Sequence, residues 1–131
     1  MHQCRLENKV DFYNTLCMWW DEWNFPHVSY TSLPDRMFVV SMDGIDLYAI
    51  PVYVGDSDIC LMGFVTGNKK STKELRSGAL NILNKYIEEV MKRDGYRIIM
   101  TVTGTPVLKK MFSDEDYIMS GKDYNEYIKV L

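Results

Sequence analysis

Ile59-Cys-Leu-Met-Gly63-Phe64-Val65-Thr66-Gly-Asn-Lys69-Lys70-Ser71-Thr-Lys73-Glu74-Leu-Arg76-Ser77-Gly78 passes from one kind of periodicity to another within a single short stretch. Its first part, Ile59 to Thr66, is apolar and β-prone, and predicts a strand. Gly63 interrupts that strand, as glycine does at a bulge or where something approaches the backbone closely. A basic turn follows. Ser71-Thr72-Lys73-Glu74 then has the S-x-x-E form of a capping box, which predicts a helix start. From there Leu75, Ala79, Ile82, Leu83, Tyr86 and Val90 fall on one helical stripe, with Lys85, Glu88, Glu89 and Lys92 largely outside it and Gly95 placed to stop the helix.

Upstream, a strand at Gln3 to Leu6 leads to Asn8, an N-cap residue, and to a helix on which Tyr13, Leu16, Cys17, Trp20 and Trp23 recur at helical spacing until Pro26. Asn24 to Pro34 reads as an ordered loop or a broken second helix. Met37 to Met42 and Tyr48 to Val54 read as strands of a hairpin turning on Asp43-Gly44, a dipeptide suited to two positive φ angles. Pro51 lacks a ladder donor, so an edge position or a bulge is expected there. Gly55-Asp56-Ser57-Asp58 turns the chain into the Ile59 strand. Downstream, Arg97 to Thr103 predicts a strand, Thr105 to about Phe112 a short helix with Pro106 at its first position, and Tyr124 to Val130 a closing strand.

A chain of 131 residues with 47% hydrophobic and 25% charged residues fits one globular α/β domain spanning residues 1–131. A net charge of −3 gives no broad field for nucleic acid; the basic cluster is Lys69, Lys70, Lys73 and Arg76. Cys4, Cys17 and Cys60 have neither metal-ligand nor disulfide-framework spacing, so reduced thiols and no metal are expected. Neither a signal peptide nor a membrane-length apolar run is read, which points to a cytoplasmic protein.

This order of elements resembles the fold of the GNAT N-acetyltransferases over almost the whole chain. The resemblance is carried by Ile59 to Thr66 at the bulged fourth strand, by the basic loop entering a capped helix, and by Arg97 to Pro106 followed by an amphipathic turn. It implies a mixed, mostly antiparallel sheet flanked by helices, with two splayed central strands holding acetyl-CoA or CoA. Gly63, Phe64 and Val65 would meet the pantetheine arm. Lys69, Lys70, Lys73, Arg76, Ser77 and Gly78 would receive the diphosphate at the helix start. In the family motif Q/R-x-x-G-x-G/A, aligned on Gly78, Arg76 stands where the middle glycine belongs, and Thr105 replaces a frequent asparagine before Pro106. The compact size and Phe64-Val65-Thr66 are similar to small GNAT-like proteins of tailed phages, which would make this a viral protein of the host cytoplasm.

The resemblance also implies an amine acceptor, a small molecule or a protein, and an acid for the departing thiolate. Phe112 stands where the family often has that acid as a tyrosine, which leaves Tyr117 or water. Asp58 and His27 are the candidates to move the amine's proton, with turn chemistry and surface packing as their plainer readings. Trp19, Trp20, Trp23, Phe25 and Tyr30 fall where the fold builds its acceptor wall, although aromatics at this spacing are more often core. The alternative is a GNAT scaffold without chemistry, a virion or host-interaction module with a protein partner.

Overall fold

The structure, a computed structural model, describes residues 1–123 and 125–131. Strand β1 (Gln3–Asn8) runs directly into helix α1 (Lys9–Trp23). The Asn8 side chain accepts the Asp11 amide, and Asn24 closes the helix at φ 57, two positions before Pro26. Phe12, Leu16, Trp19 and Trp20 face inward, while Tyr13 and Cys17 pack at the margin, so the buried stripe is rotated from the expected one. Strands β2 (Arg36–Met42) and β3 (Ile45–Val54) form the expected hairpin, with Asp43 at φ 53 and Gly44 at φ 77.

There follow β4 (Ile59–Met62), β5 (Thr66–Gly67), α2 (Lys73–Arg76), α3 (Ala79–Arg93), β6 (Ile98–Thr101) and α4 (Pro106–Asp114). The sheet order is β1-β2-β3-β4-β6, with β5 beside β3. Every pairing is antiparallel except β4 with β6. Strand β2 is the centre of the molecule: Met37 and Val39 face α1, Phe38 and Val40 face α3, and all four are fully buried. No helix is long and apolar enough to cross a membrane among the described residues.

Four expectations need correction. Pro51 lies in an interior strand, opposite Met37, and is buried. Its carbonyl accepts the Gly63 amide, and the N and C=O of one strand residue point the same way, so the missing donor faces the interruption between β4 and β5. The irregularity that accommodates proline therefore sits in the partner strand. Secondly, Ser71 is not the cap: its hydroxyl donates to the Asn68 carbonyl, and Thr72 accepts the Leu75 amide.

Thirdly, the one expected helix is two. Gly78 at φ 75 separates α2 from α3 and restarts the phase, so Leu80, Asn84, Ile87 and Met91 join Ala79, Leu83 and Val90 inside, and Ile82 is exposed. Lastly, the closing strand Tyr124 to Val130 does not form among the described residues. Tyr124 lies outside them, and residues 125–131 carry no strand, with Tyr127, Ile128, Val130 and Leu131 exposed. Alternating β-prone residues become a strand only where an edge pairs with them.

Candidate functional site

Strands β4 and β6 pair in parallel from Ile59↔Ile98 to Met62↔Thr101 and then stop. The Thr101 hydroxyl donates to the Met62 carbonyl at 3.2 Å, closing the paired stretch. Beyond it the Gly63 amide turns to Pro51, Phe64 takes φ 51, and the Thr66 hydroxyl donates back to the Phe64 carbonyl at 2.8 Å. β5 then resumes pairing with β3 alone. The central strands are splayed, and among the described residues the Phe64 and Val65 amides donate to no protein acceptor.

The bulge belongs to Phe64 and not to Gly63. Gly63 has no left-handed φ, and a Cβ there would meet Tyr53 at an ordinary 3.6 Å. Phe64 bears the strained angle, which an L residue adopts only at a cost. The glycine that packing requires is Gly67, where a Cβ would fall 2.9 Å from the Tyr48 ring. No local pattern in the sequence marks Gly67, because the clash is with a residue on another strand.

Where the strands part there is a hollow of about 380 Å³ lined by Tyr53, Leu61, Met62, Gly63, Phe64, Val102 and Glu126. The Tyr53 and Phe64 ring centres are 6.4 Å apart. The Tyr53 hydroxyl donates to the Ser32 carbonyl at 2.8 Å, and burial pushes its phenol up, so it stays protonated near neutral pH. Glu126 is the one charged residue of the lining among the described residues.

The anion-binding end differs from the expectation in detail. The Leu75, Arg76 and Ser77 amides are already used, by Thr72 Oγ1, the Thr72 carbonyl and the Lys73 carbonyl. Helix α3 by contrast starts at Gly78 without a side-chain cap, and its first internal bond is Ile82 N–H to the Gly78 carbonyl. The Ala79, Leu80 and Asn81 amides donate to no protein acceptor among the described residues, and they sit at the positive end of a 15-residue dipole. Of the basic cluster, Lys69 donates to the Glu22 carbonyl and lies over the Trp23 ring, and Lys70 reaches Glu22 Oε1 at 3.4 Å. Lys73 and Arg76 form no ion pair among the described residues.

The three residues expected to move protons are not brought together. Asp58 is exposed at the far end of β4 from the splay, its carbonyl accepting the Arg97 and Ile98 amides. His27 pairs with Asp21 at 2.7 Å on the surface beside Trp20. Tyr117 packs against Phe112 at 4.9 Å on the α3 side of the sheet, and its hydroxyl donates to Asn84 Oδ1 at 2.8 Å. Burial, followed by the nearby Glu88 charge, pushes the Tyr117 phenol well above its usual range. Trp19 and Trp20 are core, with Trp20 Nε1 donating to Thr66, whereas Trp23 and Phe25 stack near the surface.

Glu126 and Tyr53 were not singled out by the sequence. Both become neighbours of the splay only through long-range folding.

No family model and no curated protein matches the sequence. Solved structures do match the fold. AAC(6')-Iy in complex with the bisubstrate analogue CoA-S-monomethyl-acetylneamine is 13% identical at TM-score 0.70, covering 99% of each chain. The aminoglycoside acetyltransferase meta-AAC0020 from an uncultured soil metagenomic sample, in complex with sisomicin, is 9% identical at TM-score 0.69, covering 99% of this chain and 96% of that one. A GNAT family acetyltransferase of Staphylococcus aureus is 16% identical at TM-score 0.64, covering 97% and 98%. The chain has the GNAT fold, in a divergent form.

Proposed function

We propose, starting from this GNAT fold, that the chain binds acyl-CoA and passes an acetyl group to an amine. The observation that supports it best is the combination of splayed strands with a long helix whose first amides have no protein acceptor among the described residues. The residues present fit the cofactor's two chemistries. The Ala79, Leu80 and Asn81 amides, with Lys73 and Arg76 nearby in sequence, suit a diphosphate. The Phe64 and Val65 amides, freed by the bulge, suit the amide-rich pantetheine arm, with Gly63 and Met62 forming the strand edge beside it. Ser77 and Gly78 shape the helix entry, while Lys69 and Lys70 act at longer range because Glu22 engages them.

When bound, the cofactor supplies an activated acyl group on a thioester. The chain's contribution is chiefly orientation: holding the amine in the hollow beside the splay replaces a bimolecular encounter with a positioned one. The Tyr117 hydroxyl is engaged by Asn84, so water at the open hollow is the acid assigned to the departing thiolate. Asp58 and His27 remain outside this assignment.

Calorimetric titration with acetyl-CoA tests the reading. Saturable binding is expected, weakened about tenfold or more in Lys73→Ala/Arg76→Ala and less in Lys69→Ala/Lys70→Ala. No heat and no thermal shift at millimolar cofactor would remove it. A second reading, a scaffold that binds a protein and does no chemistry, is favoured by the apolar outer face of β4 and β6, where Ile59, Leu61, Ile98 and Met100 are exposed. Recovery of a stoichiometric protein partner without any cofactor affinity would select that reading.

A further inference from the structure

We infer that the hollow at the strand splay takes a small primary amine bearing one positive charge on an apolar, ring-sized body, with the Glu126 carboxylate receiving the ammonium group. As an acetyl acceptor this amine rests on the acyl-CoA reading; as a ligand of the hollow it does not.

Three observations carry it. The first is size. A hollow of about 380 Å³ stands near the small end of ligand pockets, which run from about 300 to 1,000 Å³, so it has room for a small molecule and not for a large one.

The second is lining. Leu61, Met62, Val102 and the rings of Tyr53 and Phe64 offer apolar and π surface, and the Tyr53 hydroxyl is turned away to Ser32. An aromatic or branched apolar body gains by leaving water for such a surface. A cation held near the two ring faces gains further.

The third is charge. Glu126 is exposed, is the one charged residue among the described lining residues, and enters no ion pair among them. One carboxylate neutralises one ammonium. A polycation would bring further charges into an apolar surface with nothing to pair them, which carries a desolvation cost for each. Aminoglycosides and polyamines are therefore disfavoured here, in contrast to the aminoglycoside ligand named for the meta-AAC0020 structure.

The Glu126 carboxylate takes one proton from the ammonium; the freed nitrogen lone pair forms the N–C bond to the thioester carbonyl carbon. The C–S bond breaks with its electron pair leaving on sulfur, the nitrogen releases its second proton to solvent, and the thiolate takes one from solvent. Glu126 then returns its proton to water, so the net reaction yields amide, free thiol and one proton.

The full chain and its Glu126→Gln and Glu126→Asp variants decide the matter, with phenylethylamine and spermidine as probes. Acetyl-CoA and each amine are titrated separately by calorimetry, and thiol release is followed with both present. Expected are a phenylethylamine affinity about tenfold or more above that of spermidine, and a loss of about tenfold in Glu126→Gln with partial recovery in Glu126→Asp. Acetyl-CoA affinity should be unchanged in both variants, which a merely structural role of Glu126 would not leave intact. Spermidine binding as well as phenylethylamine, or phenylethylamine binding untouched by Glu126→Gln, overturns the inference while leaving the acyl-CoA reading standing. Failure of acetyl-CoA to bind, with amine binding retained and Glu126-dependent, overturns only the acceptor role and the reading beneath it.

Discussion

The two halves of the sheet are built to different rules. β2 and the middle of β3 are covered on both faces, by α1 on one side and α3 on the other, and their residues are almost continuously buried. β4 and β6 alternate, with Cys60 and Met62 inside and Ile59, Leu61, Ile98 and Met100 outside. Burial is concentrated in the first half, and the second keeps an open face and a broken ladder.

The largest effect expected from this contrast is in the core. Phe38→Ala, at a fully buried site, should cost about 3–5 kcal/mol, whereas Leu61→Ala, on the open face, should cost under about 1 kcal/mol. Denaturant midpoints of the two variants measure the difference, and equal losses would mean that something covers β4 in solution. Next comes the junction of the halves. Tyr117→Phe should cost about 1–3 kcal/mol, because Asn84 is fully buried and would lose the donor to its Oδ1. Thiol release under saturating substrates should survive that substitution in the folded fraction; its disappearance would return the acid role to Tyr117.

A sharper comparison sets two glycines of the broken strand side by side. Gly67→Ala should destabilise by about 1–3 kcal/mol through its collision with the Tyr48 ring, and Gly63→Ala should be close to neutral. Thermal melts suffice, and the reverse order would place the bulge back at Gly63. The smallest effect concerns Glu88. Partial burial first, and then the Glu115 charge, raise its carboxyl above the ordinary value, while the hydrogen bond from Asn84 opposes them. A carboxyl raised by folding contributes stability that is complete below its unfolded pKa and is lost as pH rises through the folded one. Glu88→Gln should therefore gain on the natural protein as pH rises from acid to neutral, and a difference in melting temperature that stays flat with pH would contradict this.

Much of the fold was legible because it rests on short-range chemistry. The Asn8 cap, the Asp43-Gly44 turn, Pro106 at the start of α4 and Gly95 at φ 96 after α3 each follow from one residue's own backbone preferences. The site was only half legible. The Ile59 to Thr66 run with its break pointed to the interruption between β4 and β5, whereas the helix amides without protein acceptors among the described residues follow Gly78 and not the Ser71 entry. Which residue bends, which amides stay unpaired and which carboxylate comes near did not follow, because each depends on a partner far along the chain. Asp58 stands at the entry to β4, as its reading as turn chemistry expects, and not among proton-moving groups; Glu126 lies in a segment read as a strand and instead lines the hollow.

By itself the sequence determined the order of elements from β1 to α4, apart from the separate β5 and the break at Gly78, since periodicity, caps and turns are set by each residue's sterics and by contacts within a few positions. Only the tertiary structure decided that Pro51 sits inside the sheet, that Phe64 and not Gly63 carries the bend, that Gly67 makes room for Tyr48 and that the last residues leave the edge of β6 unpaired among the described residues. These depend on which strand lies opposite which, and hydrogen-bond registers and side-chain collisions between distant segments exist only once the chain has closed on itself.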